Sequence, residues 1–554
     1  MKTSNQIAQI LESSIENNIK SKEFSKFDCP EILVQKPKID SHGTWSSNIA
    51  LSLSRILRKD PMIIAEIIKK NINSNELISK INVVEPGFIN FEISNSYRES
   101  IITKILNKKE KFGSNDIGKM EKIQIEFVSV NPTGPVHVGH ARGAVVGSCL
   151  AEILSFCGFD VVREYYVNDA GTQIDLYVKS ILFNIYSKLR IKFPEPEDGY
   201  KGNHVKEIAE EIIITLELDK NSKILSNNIE IYQKVKELAL DNTISKIEKD
   251  LKDLGVEYDN WFYESSLFKN KTTNNVLSKL SEKNLVYDKD GAKWFKSSNF
   301  YTKDDVVIER SNEGGHTYFF TDMSYHYDKL SIRKFEKVID IFGADHHSHV
   351  DRLKSAISSL DLDSKKLVVL LTQIVHFKNE EKIEKFSKRS GNIYTVKDLI
   401  ETVGRDSIRF NFLNRSIESQ QEFDLDLALK QSTENPVYYV QYAHARLCSI
   451  LRSNTINFEN SDLSLLSTKY EKRLIDHLDF FEDVVENSYK NLETHNITKF
   501  SMDLAKELQI FYENCRVLSD DIELSKARLS LVNACKIVLC NLLKILGVNA
   551  PERM

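Results

Sequence analysis

The chain has 554 residues, 41% hydrophobic and 28% charged, which suits about three or four domains with sizeable cores and is too apolar for a disordered chain. Its 20 Gly and 10 Pro exclude collagen-like and low-complexity architectures. With 75 basic and 80 acidic residues the net charge is −5, which argues against a protein that simply coats nucleic acid but allows local basic patches.

The opening MKTSNQIAQILESSIENN lacks a continuous apolar stretch, so no export signal is expected. The cysteines at 29, 149, 157, 448, 515, 535 and 540 include no CxxC pair. Neither a disulfide framework nor a cysteine zinc site is expected, and the simplest compartment is a reducing cytoplasm.

Residues 48–57 (NIALSLSRIL) place apolar side chains at helical spacing, and Asp60-Pro61 opens a second helix with proline in the first turn. Residues 83–91 read as strand, turn, strand around Glu85-Pro86-Gly87. These make a small N-terminal α/β unit over residues 1–110, with a charged linker at 107–121. From Lys122 a buried strand (Ile123, Ile125, Phe127) runs into the turn Asn131-Pro132-Thr133-Gly134-Pro135. A helical stretch over 136–157 and a strand over 161–167 complete a βαβ unit. A second such unit spans strand 337–342, helix 348–360 and strand 366–375. The stretch between them is too long for a crossover and is expected to hold an insert at about 180–300, helical from 173 to about 285. A parallel sheet split in this way binds its ligand at the carboxyl ends of the strands, near the switch point. The catalytic unit is placed at 121–422. From 423 to 554 the pattern is helical (436–453, 474–489, 500–512, 529–546) and reads as a bundle. Asn533, Lys536, Asn541 and Lys544 interrupt the apolar stretch 532–548, which reads as a core helix, not a membrane span.

The strongest chemical signal is VSVNPTGPVHVGHARGAVVGSCL at 128–150. His137 and His140 lie three apart at a helix start, on one face, where unsatisfied backbone N–H groups attract anions. Gly134 and Gly139 allow close backbone approach to a ligand. The spacing from Gly134 to Gly139 imitates a P-loop, but His140-Ala141 stands where Lys-Ser/Thr is required, so that reading fails. The second signal is the basic stretch Lys385-Phe386-Ser387-Lys388-Arg389-Ser390, just beyond the second βαβ unit. Its cations could neutralise a developing pyrophosphate charge. Asp345, His346, His347 and His349 could hold zinc; at a strand end they read instead as a substrate-binding turn.

HVGH resembles the "HIGH" signature and KFSKRS the "KMSKS" signature of class I aminoacyl-tRNA synthetases, with Phe386 in place of Met and Arg389 in place of Ser. EYYVNDAGTQI (164–174), TYFFTDMSYH (317–326), FGADHHSHVDRLKSAI (342–357), the C-terminal RLSLVNACKIVLCNLLKILGVNAPERM and the N-terminal GTWSSNIALSLSRILRKDP resemble arginyl-tRNA synthetases in particular. The resemblance spans nearly the whole chain and is weakest in the insert. It implies a Rossmann-like catalytic domain, a small N-terminal domain touching tRNA and a helical anticodon-binding domain. The implied reaction activates L-arginine with ATP and Mg²⁺ to arginyl-adenylate, then transfers arginine to the 2′-hydroxyl of the terminal adenosine of tRNA(Arg). ATP would rest on Asn131, Pro132, Thr133, Gly134, Pro135, Val136, His137, Val138, Gly139, His140 and Ala141 with Lys388. His137, His140, Lys385, Lys388 and Arg389 would stabilise the transition state. Glu126, Tyr318 and Asp322 would meet the guanidinium, Ser129 and Asn131 the α-amino end, and His346 would stand where the family often has Gln. Asn48, Tyr442, Arg446, Tyr512 and Arg516 would face tRNA, with His444 beside them. No metal site of the protein's own, no membrane and a monomer in the cytoplasm are expected. Three alternatives stay open: a catalytically dead RNA-binding paralogue, a class I synthetase for another amino acid, and a small-molecule nucleotidyltransferase.

Overall fold

The computed structural model describes residues 1–37, 39, 42–310, 315–378 and 394–554. At the N-terminus, helix Thr3–Lys20 accompanies an antiparallel sheet in the order Val34–Gln35, Trp45–Ser47, Phe88–Ile93, Ile78–Val84. The predicted helix pair is Ile49–Leu57 and Pro61–Lys70, and the Asp60 side chain caps the second by accepting from the Met62 N–H at 2.8 Å. The expected linker is not a free tether. Helix Asn95–Lys108 runs into it, and Asn541 donates to the carbonyls of Lys109 and Phe112, both at 3.0 Å.

The central sheet has five strands, all parallel, in the order Leu367–Thr372, Lys337–Gly343, Lys122–Glu126, Asp160–Val167, Asn260–Tyr263. The first strand in sequence is therefore central and the chain winds away from it in both directions, opening a crevice at the carboxyl ends. Two expectations change here. Residues 260–263 (NWFY), expected inside a helical insert, form the fifth strand. The predicted strand 366–375 is two: after Thr372 the chain leaves the sheet, and Val375–Lys378 pairs in parallel with Gln421–Asp424. The insert proper is the helix trio Thr172–Lys188, Asn203–Thr215 and Asn228–Asp253. A further antiparallel sheet over 286–316 follows strand 260–263.

Helix Ala141–Phe156 packs directly on the sheet because Gly147 has no side chain: a Cβ there would stand 2.3 Å from the Phe127 ring. Helices Pro436–Ser453, Lys469–Asp479, Phe481–Asn491, His495–Asn514 and Ile522–Leu546 form the C-terminal bundle. The last is long and apolar enough to cross a membrane, yet 72% of its apolar window is buried, so packing inside the bundle accounts for its composition. The N-terminal unit docks on an acidic face of the bundle. Lys2 pairs with Asp483 at 2.9 Å, Arg98 with Asp476 at 2.6 Å, and Lys104 with Glu482; Thr3 donates to Asp479 at 2.7 Å.

Candidate active site

The central strand ends at the buried Glu126. The backbone then turns sharply: Val128 (φ 73°) and Ser129 (φ 44°) both adopt left-handed conformations that a β-branched valine rarely takes. Neighbouring strands hold this exit in place. Tyr258 donates to the Phe127 carbonyl at 3.0 Å and Tyr165 to that of Val130 at 2.9 Å. Ser129 donates to Glu126 Oε1 at 2.9 Å and accepts from the Tyr166 N–H at 3.1 Å. Asn131 donates to Gln173 at 2.6 Å, and the Asn168 amide lies 3.1 Å from Asn131 Oδ1.

His137 does not share a helix face with His140 as expected. It is extended (φ −69°, ψ 143°) and precedes a 3₁₀ turn, Val138–His140, which feeds helix Ala141–Phe156. Its Nδ1 accepts from the Gly139 N–H at 3.0 Å, so the neutral ring carries its proton on Nε2 and presents a donor. Protein around the ring lowers the His137 pKa; at His140 the same effect and His137 outweigh an upward pull from Asp345. Both imidazoles are thus biased to the neutral form. The chain past the second basic signature returns to this turn. The Val138 N–H donates to the Tyr394 carbonyl at 3.0 Å, and the Val396 N–H to that of Val136 at 2.9 Å. Lys385, Lys388 and Arg389 themselves lie outside the described residues.

On the amino-acid side, Tyr318 opens helix Tyr318–Tyr327 and is 58% exposed. One turn on, Asp322 Oδ2 lies 2.7 Å from His349 Nε2, and among the described residues Oδ1 has no hydrogen-bond partner. Glu126 is not an open carboxylate. Its Oε2 meets the fully buried Lys329 Nζ at 2.7 Å, and the same ammonium meets Asp340 Oδ1 at 2.9 Å. His326 joins Asp340 Oδ2 at 2.8 Å and the Asp322 carbonyl at 2.8 Å. Burial alone would raise Asp340, but Lys329 and His326 hold it at about 2. Burial raises Glu126 further than Lys329 can lower it, and Asp340 adds to the rise.

Glu264, just past strand Asn260–Tyr263, was not anticipated. Its Oε2 accepts from the Tyr166 hydroxyl at 2.7 Å, and burial, with Asp322 and Asp169, pushes it up to about 7. Burial and the charges of Glu264, Asp322 and Glu126 all push the Tyr166 phenol up. Lys329 was also missed, although Asp322, His326 and Lys329 repeat at helical spacing. His346 is half-exposed, its ring 5.9 Å from Phe342.

In the bundle, the Tyr438 and Tyr442 rings stack at 6.3 Å with Tyr442 42% exposed, and the Arg446 guanidinium lies over Tyr512 at 4.5 Å. Arg516 is exposed and Asn48 half-buried at a helix start. His444 does not face outward with these residues: it is buried, its Nδ1 2.9 Å from the Pro551 carbonyl.

Three family profiles match. Residues 5–93 match the arginyl tRNA synthetase N-terminal domain, 101–426 the class I tRNA synthetase (R) catalytic domain, and 440–554 the DALR anticodon binding domain. An arginine–tRNA ligase of Acetivibrio thermocellus is 38% identical, covering 99% of this chain and 98% of its own. One from Bacillus licheniformis is 41% identical over 95% of each. A solved arginyl-tRNA synthetase of Thermus thermophilus superposes with a TM-score of 0.76 over 100% of both chains at 21% identity, a likeness of fold.

Proposed function

The chain belongs to the arginyl-tRNA synthetases and attaches arginine to tRNA at the expense of ATP; from that premise we propose how its residues divide the work. ATP lies along turn 131–135 and the 3₁₀ turn, and its magnesium arrives as part of the substrate. The arginine carboxylate attacks the α-phosphorus in line. A phosphorus–oxygen bond forms to the carboxylate, the bond to pyrophosphate breaks, and negative charge grows on the equatorial oxygens of the α-phosphate and on the leaving pyrophosphate. His137 and His140 donate to those oxygens. Lys385, Lys388 and Arg389 supply cations to the leaving pyrophosphate, a role supported by sequence alone. The 2′-hydroxyl of the terminal adenosine then attacks the adenylate carbonyl and AMP leaves with the bonding pair, the hydroxyl proton passing to solvent.

Arginine's guanidinium is met by Asp322 Oδ1 and Tyr318, with Glu126, already paired with Lys329, bordering the pocket. Ser129 and Asn131 take the α-amino end and His346 borders the pocket. Tyr442, Arg446, Tyr512 and Arg516 meet unpaired anticodon bases, and Asn48 meets the body of the tRNA. The protein acts as a monomer in the cytoplasm, and its seven unpaired cysteines suit the reducing compartment.

The observation that carries this reading is the juxtaposition at the sheet switch point. The His137 ring has its tautomer set by the Gly139 N–H in the turn that follows the central strand, and at the end of that strand Ser129 ties Glu126 to the backbone of Tyr166, whose hydroxyl donates to Glu264. The test is ATP–pyrophosphate exchange with arginine and tRNA present. His140→Ala is expected to slow exchange more than it raises the ATP KM; equal losses would mean uniform binding rather than transition-state stabilisation.

A further inference from the structure

Taking turn 131–135 as the seat of the nucleotide, as proposed above, we infer that His204 of the insert is a positioning residue that holds this turn in its ATP-binding shape. His204 sits in the first turn of helix Asn203–Thr215. Its Nε2 lies 3.1 Å from the Thr133 carbonyl. A carbonyl only accepts, so Nε2 carries the proton and donates. The next residue of the turn is Gly134, where a Cβ would come within 3.2 Å of that same nitrogen. The backbone of the turn therefore packs against the imidazole edge through the one residue type that leaves room.

The ring is backed from behind. Tyr177 of helix Thr172–Lys188 stacks on it at 6.5 Å and 25°. Tyr177 is fully buried, and its hydroxyl is hydrogen-bonded to Thr243 of helix Asn228–Asp253 at 2.9 Å. On the near side a Cβ at Gly202 would fall 2.5 Å from the ring, so the approach of the chain is fitted to it as well. All three insert helices thus bear on one donor, and that donor grips one carbonyl of the turn. Burial and Lys246 lower the His204 pKa against Glu207 and the Thr133 carbonyl, in keeping with a neutral ring. The insert, the part of the chain least legible in sequence, thereby acts on ATP rather than only decorating the sheet.

His204→Phe keeps a ring on Tyr177 and removes the donor; His204→Gln keeps a donor. In ATP–pyrophosphate exchange with arginine and tRNA, His204→Phe is expected to raise the ATP KM about two- to twelve-fold, the worth of one hydrogen bond. The arginine KM and Tm should stay near those of the parent, and His204→Gln should recover most of the ATP affinity. Gly134→Ala should raise the ATP KM, and by less in a His204→Ala background, where the ring it would strike is gone. The inference is overturned if His204→Phe leaves the ATP KM unchanged, if both KM values rise together, or if His204→Gln fails as badly as His204→Phe with a lowered Tm. If His140→Ala also leaves exchange intact, it is the seat of ATP that is wrong; if His140→Ala is impaired while His204→Phe is silent, only the role of His204 falls.

Discussion

Asp322→Asn tests the amino-acid pocket most directly. The carboxylate has one oxygen on His349 at 2.7 Å, so a guanidinium donates a single charge-assisted bond to the open Oδ1 rather than a bidentate pair. Such a bond contributes about 1.5–3 kcal/mol, which corresponds to a rise of about ten- to 150-fold in the arginine KM. Asparagine has the same shape and still offers an oxygen to His349. With Asp322 only part-buried, Tm should move by less than about 2 °C. Steady-state aminoacylation with arginine varied, at saturating ATP and tRNA, reads the KM; a second series with ATP varied should show its KM nearly unchanged. An arginine KM that does not move would remove Asp322 from the pocket, and a loss shared equally between the two substrates would point to general disorder of the site.

Lys329→Met leaves Glu126 and Asp340 buried without their cation, and urea denaturation at pH 8 should show a loss of about 3–5 kcal/mol that shrinks at lower pH as the stranded carboxylates take up protons. The Asp479 carboxyl, pushed up to about 7 by burial, favours folding only while protonated, so its contribution falls as pH rises from the ordinary carboxylate value towards 7. Asp479→Asn keeps an acceptor for Thr3 and should be more stable than the parent by about 1–3 kcal/mol at pH 8, with the gap narrowing towards pH 5; a gap that widens on acidification would contradict the sign. Tyr442→Ala removes the exposed ring of a stacked pair. It should raise the tRNA KM about five- to 150-fold, the value of one base stack, with the arginine KM little changed; an unmoved tRNA KM would dissociate Tyr442 from anticodon reading.

Alternating apolar residues, proline and glycine turns and helical spacing are local properties, so the chain by itself determined its first βαβ unit, its helical C-terminal region and its two signatures. It also determined the pair of histidines at a helix start, because a strand, a proline-glycine turn and a helix with small residues are written there in consecutive letters. What only the tertiary structure decided involves partners far apart in the chain. Strand Asn260–Tyr263 joins the sheet although it follows three insert helices, since four residues carry too little periodicity to announce a strand. Lys329 neutralises Glu126 from 203 residues away, and His204 grips Thr133 from 71. The reason is physical: the sign of a residue's contribution depends on what faces it once water is excluded. A carboxylate read as a ligand for substrate proves to be half-satisfied by a lysine that no pattern of neighbouring residues could have placed beside it.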